Sequence, residues 1–325
     1  MRESSYSDAL IQCFERVLLK DDRVFILGGS LFFGVTPTAE LFRKLVDKYP
    51  KRILRPPTSE FGFCALAVGA AMSGMRPIVD IGTASFVFNA WPVVINEASN
   101  AHYLNNGQTK VPIIFHMMHG IRGGAGVQHS HSPQSMLWNT PGLEIMLPSS
   151  PADLIGLFQT ALNRENPVVF IDHAKLFGTS GQVPDEVGYS IPFGKGEIKR
   201  EGRDVTMVAT SLMVQTAIRA ATKLSAEGIE VEVVDPRTIV PLDKEIILNS
   251  VAKTGRLIVA DEGQRSCGIA SEISAIVAEE GFKSLKSGIK RVTIPDIPVA
   301  FSKPLEEYVS PSEDRIIAAV RSAVK

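Results

Sequence analysis

The sequence has no excess of charge of either sign, no long apolar run and few cysteines, and each absence excludes a class of protein. Its 325 residues include 34 lysines and arginines against 35 acidic residues, which gives a net charge of -1. Nucleic-acid binders carry a clear basic excess, so no nucleic-acid partner is expected. The longest apolar runs, such as residues 65–72, are far shorter than the roughly 20 residues of a membrane-spanning helix, so no membrane partner is expected.

Cysteine is scarce and scattered. Cys13, Cys64 and Cys267 are far apart and form no Cys-x-x-Cys pair. Such thiols are typical of a reducing compartment rather than of a disulfide scaffold. The first residues also lack the basic start, apolar core and small-residue cleavage site of a secretory signal. We therefore expect a cytoplasmic protein, although an organelle protein that had lost its leader has the same features.

Short apolar runs alternate with amphipathic stretches along almost the whole chain. A helix is predicted to start at Thr36-Pro37, and a closing helix at Ser312. Continuously apolar strands separated by helices favour a parallel sheet covered on both faces. In the first half, strands are predicted over residues 24–27, 77–81, 111–115, 143–147 and 167–171.

The alternation breaks from about residue 178 to residue 204, where Gly, Pro, Ser and charged residues dominate. The predicted fold class is α/β, with two open, mostly parallel-sheet domains. We place them at residues 1–178 and 204–325, joined by a linker over residues 179–203, in which residues 190–198 are a candidate edge hairpin. A chain of this length is enough for two separate cores.

Ligands of open α/β sheets bind beyond the carboxyl ends of the strands, and three segments fall in such places. In the first, residues 56–74 (PPTSEFGFCALAVGAAMSG), Glu60 stands at the start of a helix rich in small residues. One interpretation is a first-turn acid that complements the helix dipole. The other is a functional acid: small residues permit close packing, which we expect to confine Glu60 with little water. There a carboxylic acid can share a proton with a ring nitrogen.

The second segment is a glycine-rich loop with histidines, residues 119–132 (HGIRGGAGVQHSHS). Four of the six histidines, at positions 116, 119, 129 and 131, lie within 16 residues. No carboxylate or cysteine is interleaved at ligand spacing, which disfavours a metal site, and we assign no metal ligand. Solvated loop histidines and catalytic acid–base histidines both stay open.

The third segment, residues 81–104, carries Phe86 and Phe88 after a predicted strand. Either ring can stack on a flat ligand, but such aromatics are more often part of the core. None of the three segments names a reaction by itself.

Together, in this order, the segments resemble the beta subunit of the thiamine-dependent first component of 2-oxo acid dehydrogenases, of the pyruvate, branched-chain and acetoin types. The resemblance runs nearly end to end. It rests on residues 58–79, 123–132 and 139–173, which are similar to that family's pyrimidine-binding domain. Residues 232–247, 253–263 and 297–312 are similar to the transketolase-type C-terminal domain.

The resemblance implies that the chain binds thiamine diphosphate. Glu60 matches the glutamate that hydrogen-bonds the aminopyrimidine ring and favours the tautomer that takes the thiazolium proton. Phe86 matches the aromatic residue that stacks on the pyrimidine, and His129 matches the histidine that faces the reacting carbon. On the same basis we assign Thr58 and Gly82 to the cofactor, and Gln128 and His131 to the substrate or acyl acceptor.

One part of a thiamine site is missing from the sequence. Enzymes of this kind hold the diphosphate through Mg²⁺ with a Gly-Asp-Gly segment followed by Asn-Asn, but no Gly-Asp dipeptide occurs here, and the pair Asn105-Asn106 stands alone. The resemblance therefore implies an alpha subunit that completes the site and binds most of the Mg²⁺, in an α2β2 heterotetramer. A lipoyl acyltransferase core is a further candidate partner.

The chain also departs from the family pattern. Thr83-Ala84-Ser85-Phe86 stands where Phe-x-Asp-Phe is usual, Pro92-Val93 replaces Asp-Gln, and Asn100 replaces a lysine. His131 stands where glutamine is commoner, which adds a second titratable group beside His129. These changes alter polar contacts near the cofactor or the subunit interface, and they bear on the substrate more than on the chemistry.

Three functions follow from the sequence. The leading one is the beta subunit of an enzyme that decarboxylates a 2-oxo acid and passes the acyl unit to a lipoyl group. The alternative is a stand-alone two-subunit thiamine-dependent carboligase that forms acyloin-type carbon–carbon bonds in a specialised pathway. A non-enzymatic structural paralogue is the third, and the joint presence of Glu60, Phe86 and His129 argues against it.

Overall fold

The chain forms two compact units. A computed structural model describes residues 1–28, 37–186 and 188–325. The first unit comprises Met1–His119 and Met136–Phe193, and the second comprises Gly120–Ser135 and Gly194–Lys325. The segment that carries His129 and His131 is therefore part of the second unit, although it interrupts the first in sequence.

The first unit is built on a parallel sheet. Its strands are β1 (Arg2–Ser5), β2 (Val24–Gly28), β3 (Ile53–Leu54), β4 (Arg76–Thr83), β5 (Ile114–His119), β6 (Glu144–Met146), β7 (Val168–His173) and β8 (Ser180–Val183). Its helices are α1 (Tyr6–Lys20), α2 (Pro37–Lys48), α3 (Glu60–Met72), α4 (Ala101–Leu104), α5 (Gln134–Trp138) and α6 (Pro151–Ala161). The predicted helix after Thr36-Pro37 is α2, while Thr36 itself lies outside the described residues.

Six of these strands lie side by side in the order β6-β7-β5-β4-β2-β3, and every neighbouring pair is parallel. Strands β2, β4 and β7 are almost entirely buried, because helices cover both faces of a sheet of this kind. β1 and β8 form a separate antiparallel ribbon. β8 lies within the residues expected to be a linker.

β5 differs from the sequence-based expectation. It was expected over residues 111–115, but it runs over Ile114–His119, so that His116 and His119 are strand residues rather than loop residues. Both are buried. Polar side chains are tolerated in a buried strand only when they have partners, and these two histidines have them.

His116 is held between two buried carboxylates. Its Nε2 lies 2.9 Å from Asp172 of β7, and its Nδ1 lies 3.3 Å from Asp80 of β4. Tyr6 of α1 donates its hydroxyl proton to the other oxygen of Asp172. Burial alone would lower the pKa of His116, but the hydrogen bonds to Asp172 and Asp80 outweigh it and raise the pKa to about 9. The network thus ties β4, β5, β7 and α1 together around a protonated imidazole.

His119 has a different environment. It is three residues along the same strand, so its side chain points to the opposite face of the sheet. Its ring packs edge-on against that of His173, with centroids 4.9 Å apart. Burial, and then the nearby His173, lower the pKa of His119 well below its usual value. His119 is therefore a neutral core residue.

The second unit also contains a mostly parallel sheet. Its strands are β9 (Glu197–Arg200), β10 (Val205–Ala209), β11 (Val231–Asp235), β12 (Thr238–Val240), β13 (Leu257–Gln264) and β14 (Lys290–Ile294). Its helices are α7 (Leu212–Ser225), α8 (Lys244–Thr254), α9 (Ile269–Glu280), α10 (Lys303–Val309) and α11 (Glu313–Val324). The order β14-β13-β10-β11-β9 is parallel except for the edge strand β9, which pairs antiparallel with β11.

Both units bury apolar cores, and that of the second unit is lined by residues of β10, β11, β13, α7 and α11. None of the helices formed by the described residues combines the length and apolar character needed to cross a bilayer. The predicted fold class, two mostly parallel α/β domains, is confirmed. The predicted linker over residues 179–203 contains β8 and β9, and the exact boundaries stay a prediction.

Candidate active site

Glu60 is the first residue of α3, which follows two prolines that cannot continue a helix. Ser59 is the N-cap but makes no side-chain capping bond, so Glu60 is the acidic group of the first turn. Its side chain is half-buried. The carboxylate accepts a hydrogen bond of 3.4 Å from the side-chain amide of Asn89.

The expected confinement of Glu60 stays a prediction, because in this chain taken by itself its side chain is half-buried. α3 is apolar around its whole circumference, yet it buries only one side, formed by residues such as Phe63, Ala67 and Ala71. The other side is exposed, and Leu66 on that side has 58% of its surface accessible. A helix that is apolar all round is normally buried all round. The close packing expected along the small-residue run is therefore present on one side of α3 only.

Phe86 and Asn89 share a 3-10 helical segment, Ala84–Ala90, which follows the end of β4 and packs against α3. In a 3-10 helix, residues three apart lie on the same side. The half-buried Phe86 is therefore on the same side of the segment as Asn89, whose amide reaches Glu60. Sequence reasoning did not identify Asn89, although its position three residues after Phe86 was the available signal.

Gly82 and Thr58 lie in different settings near these residues. Gly82 is buried at the end of β4, beside a register shift in the pairing with β5, and has a φ of 90°. That left-handed backbone favours glycine and leaves the backbone open to close approach. Thr58 is an exposed loop residue two positions before Glu60. Phe88 packs against Trp91, with ring centroids 5.9 Å apart.

Most departures from the family pattern lie on either side of Phe86. Ser85 is buried, and Pro92-Val93 stands at the start of a π-helical segment, Val93–Ala98. π-helical turns are rare and are frequent at functional sites. Asn100 follows this segment on the exposed side, where its amide donates to the carbonyl of Ile95.

The histidine loop lies in the second unit. Gly123, Gly124 and Gly126 all have φ between 69° and 92°. A short 3-10 turn, Val127–His129, comes next, and the backbone N–H of His129 donates to the carbonyl of Gly126 at 3.4 Å. The side chain of His129 is half-buried, while Gln128 is exposed.

His131 is also half-buried, and burial lowers its pKa. His129, His131 and Gln128 thus form one local group in the second unit, while Glu60, Phe86 and Asn89 form another in the first. Within residues 1–28, 37–186 and 188–325, no three His, Cys, Asp or Glu side chains are arranged to hold a metal ion.

Comparison with known proteins relates both units to one family. The transketolase pyrimidine-binding domain matches residues 2–178, and the transketolase C-terminal domain matches residues 194–316. Among solved structures, a split-gene transketolase described as an inactive beta4 tetramer superimposes with a TM-score of 0.78. It is 21% identical and covers 98% of both chains, so it supports the fold alone.

Curated relatives match over the full length. The acetoin:2,6-dichlorophenolindophenol oxidoreductase subunit beta of Cupriavidus necator is 38% identical, over 100% of this chain and 98% of the relative. The pyruvate dehydrogenase E1 component subunit beta of Rickettsia felis is 38% identical, over 97% of this chain and 96% of the relative. The acetoin oxidoreductase subunit beta of Bacillus subtilis is 37% identical, over 98% and 96%. The family predicted from the sequence is confirmed: the chain belongs to the transketolase-like family of these beta subunits, with a pyrimidine-binding domain followed by a transketolase C-terminal domain.

Proposed function

We propose that the chain is the beta subunit of a heteromeric thiamine-diphosphate-dependent enzyme that decarboxylates a 2-oxo acid and transfers the acyl unit to a lipoyl acceptor. Relatives named as beta subunits of pyruvate dehydrogenase and acetoin oxidoreductase support this proposal over the full length of the chain. The observation that carries it is the hydrogen bond from Asn89 to Glu60. Asn89 lies on the same 3-10 segment as Phe86, so the segment brings an aromatic ring and a carboxylate contact to one place.

These residues fit the aminopyrimidine end of thiamine diphosphate. Phe86 offers an aromatic face, the Glu60 carboxylate could accept a hydrogen bond from a ring N–H, and Gly82, with its positive φ and no side chain, would let backbone come close to a flat ring. When bound, the cofactor supplies a nucleophilic carbon and an electron sink for decarboxylation. Glu60 would hold a proton at the pyrimidine nitrogen, and Asn89 would orient the Glu60 carboxylate.

His129 and His131 would handle protons of the substrate or acyl acceptor, with Gln128 as a further polar contact. All three lie within four residues on a loop whose histidine side chains are half-buried. An imidazole titrates near neutral pH, which suits it to both taking and giving protons.

An alpha subunit would complete the site and provide the diphosphate and Mg²⁺ ligands, in an α2β2 assembly. The lack of any Gly-Asp dipeptide in the sequence supports this division. The exposed apolar side of α3, beside Glu60, also fits a partner surface, since large apolar areas are rarely left in water. A lipoyl acyltransferase core would be a second partner. Three unpaired cysteines fit a cytoplasmic location.

The test is reconstitution with a candidate alpha subunit that carries the Gly-Asp-Gly and Asn-Asn segments. The complex is assayed with a series of 2-oxo acids, in the presence of either a lipoylated acceptor domain or a free aldehyde. Acyl transfer to the lipoyl group is the expected result. Carbon–carbon bond formation with the aldehyde, without lipoyl transfer, would instead identify the carboligase.

Glu60→Gln should reduce turnover by at least a hundredfold, since the amide cannot exchange a proton as a carboxylic acid does. Glu40→Gln is the matched control: Glu40 is the first-turn acid of α2, with 70% of its side chain exposed, so it shares any effect on a helix dipole. Equal turnover by the two variants would mean that Glu60 only complements the helix dipole, and it would reject the proposed chemistry.

A further inference from the structure

Two glutamate carboxylates of the second unit are almost completely buried. Glu262 of β13 has 4% of its surface exposed and Glu306 of α10 has 3%. Glutamate is almost never fully buried unless its oxygens are satisfied, because removing a carboxylate from water carries a large penalty. Hydrogen-bond donors are therefore expected beside both carboxylates.

Both carboxylates accept hydrogen bonds from the backbone of the glycine-rich loop. One oxygen of Glu306 lies 3.1 Å from the N–H nitrogen of Gly123, and both oxygens lie 3.0 Å from that of Gly124. Glu262 accepts from the N–H of Ile121. Two acids that are distant in sequence thus engage three backbone donors within four residues.

The loop needs such anchors because it has little structure of its own. Four of its glycines have positive φ: Gly120, Gly123, Gly124 and Gly126. Glycine adopts positive and negative φ about equally readily, so these residues do not fix the backbone by themselves. Successive N–H groups in such a backbone form a concave site for an anion. Here the side chain of Glu306 is the anion, so these N–H groups are directed at the protein itself and not at a phosphate.

Apolar contacts surround the anchors. Ile121 belongs to a small buried cluster with Ile294, Val299 and Val309. Phe301 lies against the loop, since a Cβ built on Gly124 or Gly126 would fall within 3.6–3.8 Å of its nearest atom. The anchored part of the loop ends at Gly126, and His129 follows on a single 3-10 turn that begins there.

We infer that Glu306, with Glu262, acts as a positioning residue that holds the glycine-rich loop and thereby fixes His129 where its imidazole is used. The inference rests on the proposed function, which makes His129 a catalytic residue. A carboxylate suits the task better than an amide, since its two oxygens accept all three contacts from Gly123 and Gly124. Charge-assisted hydrogen bonds are also about twice as strong as neutral ones.

The test compares Glu306→Gln and Glu306→Ala with Glu307→Ala. Glu307 is the matched control: it is the next residue of α10, its side chain is 66% exposed, and it faces Lys303 at 3.9 Å. Amide hydrogen exchange of residues 120–126 is measured on the full chain, which requires no activity. Exchange should be at least tenfold faster in Glu306→Ala, intermediate in Glu306→Gln and unchanged in Glu307→Ala.

Turnover is then measured in the reconstituted complex. In Glu306→Ala, kcat should fall about ten- to a hundredfold, the size of loss that a displacement of about 1 Å produces. In Glu306→Gln the loss of kcat should be smaller. The thiamine diphosphate concentration for half-maximal activity should stay unchanged in both variants, because Glu60 is not altered. Glu306→Gln preserves side-chain shape and is used alone if the alanine variant does not fold.

Unchanged exchange in both Glu306 variants would overturn the anchoring. Faster exchange with unchanged kcat would overturn the positioning of His129. The proposed function fails separately, through normal turnover of Glu60→Gln, and the exchange result is independent of that outcome.

Discussion

Two pairs of histidines, close in sequence, occupy opposite kinds of environment. His116 and His119 are fully buried in β5, while His129 and His131 are half-buried on a loop of the second unit. Within the strand pair the contrast continues: two carboxylates raise the pKa of His116, whereas burial beside His173 lowers that of His119. A cluster of one residue type in the sequence is therefore not a functional group in space. Partners and burial decide what each imidazole does.

The comparison also separates stability from chemistry. The strand histidines have closed environments on the two faces of one sheet, which favour a single protonation state each. The loop histidines are partly accessible and follow a backbone anchored by Glu306, which suits groups that exchange protons with a ligand. Substitutions in the strand should therefore change folding, and substitutions in the loop should change turnover.

The largest effect is expected from His116→Ala. Removing His116 takes away the positive charge between the buried carboxylates of Asp80 and Asp172, and breaking a buried ion pair in this way typically costs about 3–5 kcal/mol. Denaturant unfolding of the purified chain, followed by circular dichroism, measures the loss. His102→Ala is the control, since His102 is exposed and should change stability by about 0.5 kcal/mol or less. A loss below about 1 kcal/mol for His116→Ala would contradict the role assigned to the network.

Much of the fold was predictable, because local patterns determine it. Helix α9 over Ile269–Glu280 and the alternation of buried strands follow from apolar spacing and turn residues. The extension of β5 through His116 was not, because the carboxylates that make a buried histidine tolerable lie 36 and 56 residues away in sequence.

Only part of the candidate site could be predicted, because some of its contacts join segments that are far apart in sequence. Glu60, Phe86 and His129 came from motif order, but the Asn89 contact depends on how a 3-10 segment packs against α3. Glu306 bonds a backbone 182 residues away in sequence, which no local pattern contains. The exposed side of α3 could not be predicted either. An apolar helix is expected to be buried, but its sequence does not tell whether this chain or a partner chain covers it.

The second-largest effect expected is a pH dependence of folding stability, which has opposite signs for His116 and His119. The folded-state pKa of His116 is raised to about 9, so its stabilising contribution is complete below pH 6.5 and is lost as pH rises through 9. The folded-state pKa of His119 is lowered, so its contribution is complete above pH 6.5 and is lost as pH falls below that value. Stability measured from pH 5 to 9 reports both.

His119→Gln separates the two slopes. It should reduce the acid-side dependence of the unfolding free energy by up to about 1.4 kcal/mol per pH unit, the maximum for one proton, and leave the alkaline side unchanged. Nuclear magnetic resonance of ¹⁵N-histidine gives an independent measurement, since His116 should remain protonated at pH 7.5. An unchanged acid-side slope in His119→Gln would show that His119 is not held neutral by the fold.

The smallest effect on stability is expected in the loop, from His131→Gln and His129→Gln. Both side chains are only half-buried, so each change should cost about 1 kcal/mol or less. Turnover should distinguish them: His129→Gln should lose most activity, and His131→Gln little at neutral pH. Because burial lowers the pKa of His131, its charge appears only on the acid side of 6.5, and the variant should differ most from the wild type there. Equal losses of turnover at pH 7.5 would mean that the two loop histidines act as one unit. A loss of unfolding free energy as large as that of His116→Ala would contradict the distinction between loop and strand histidines.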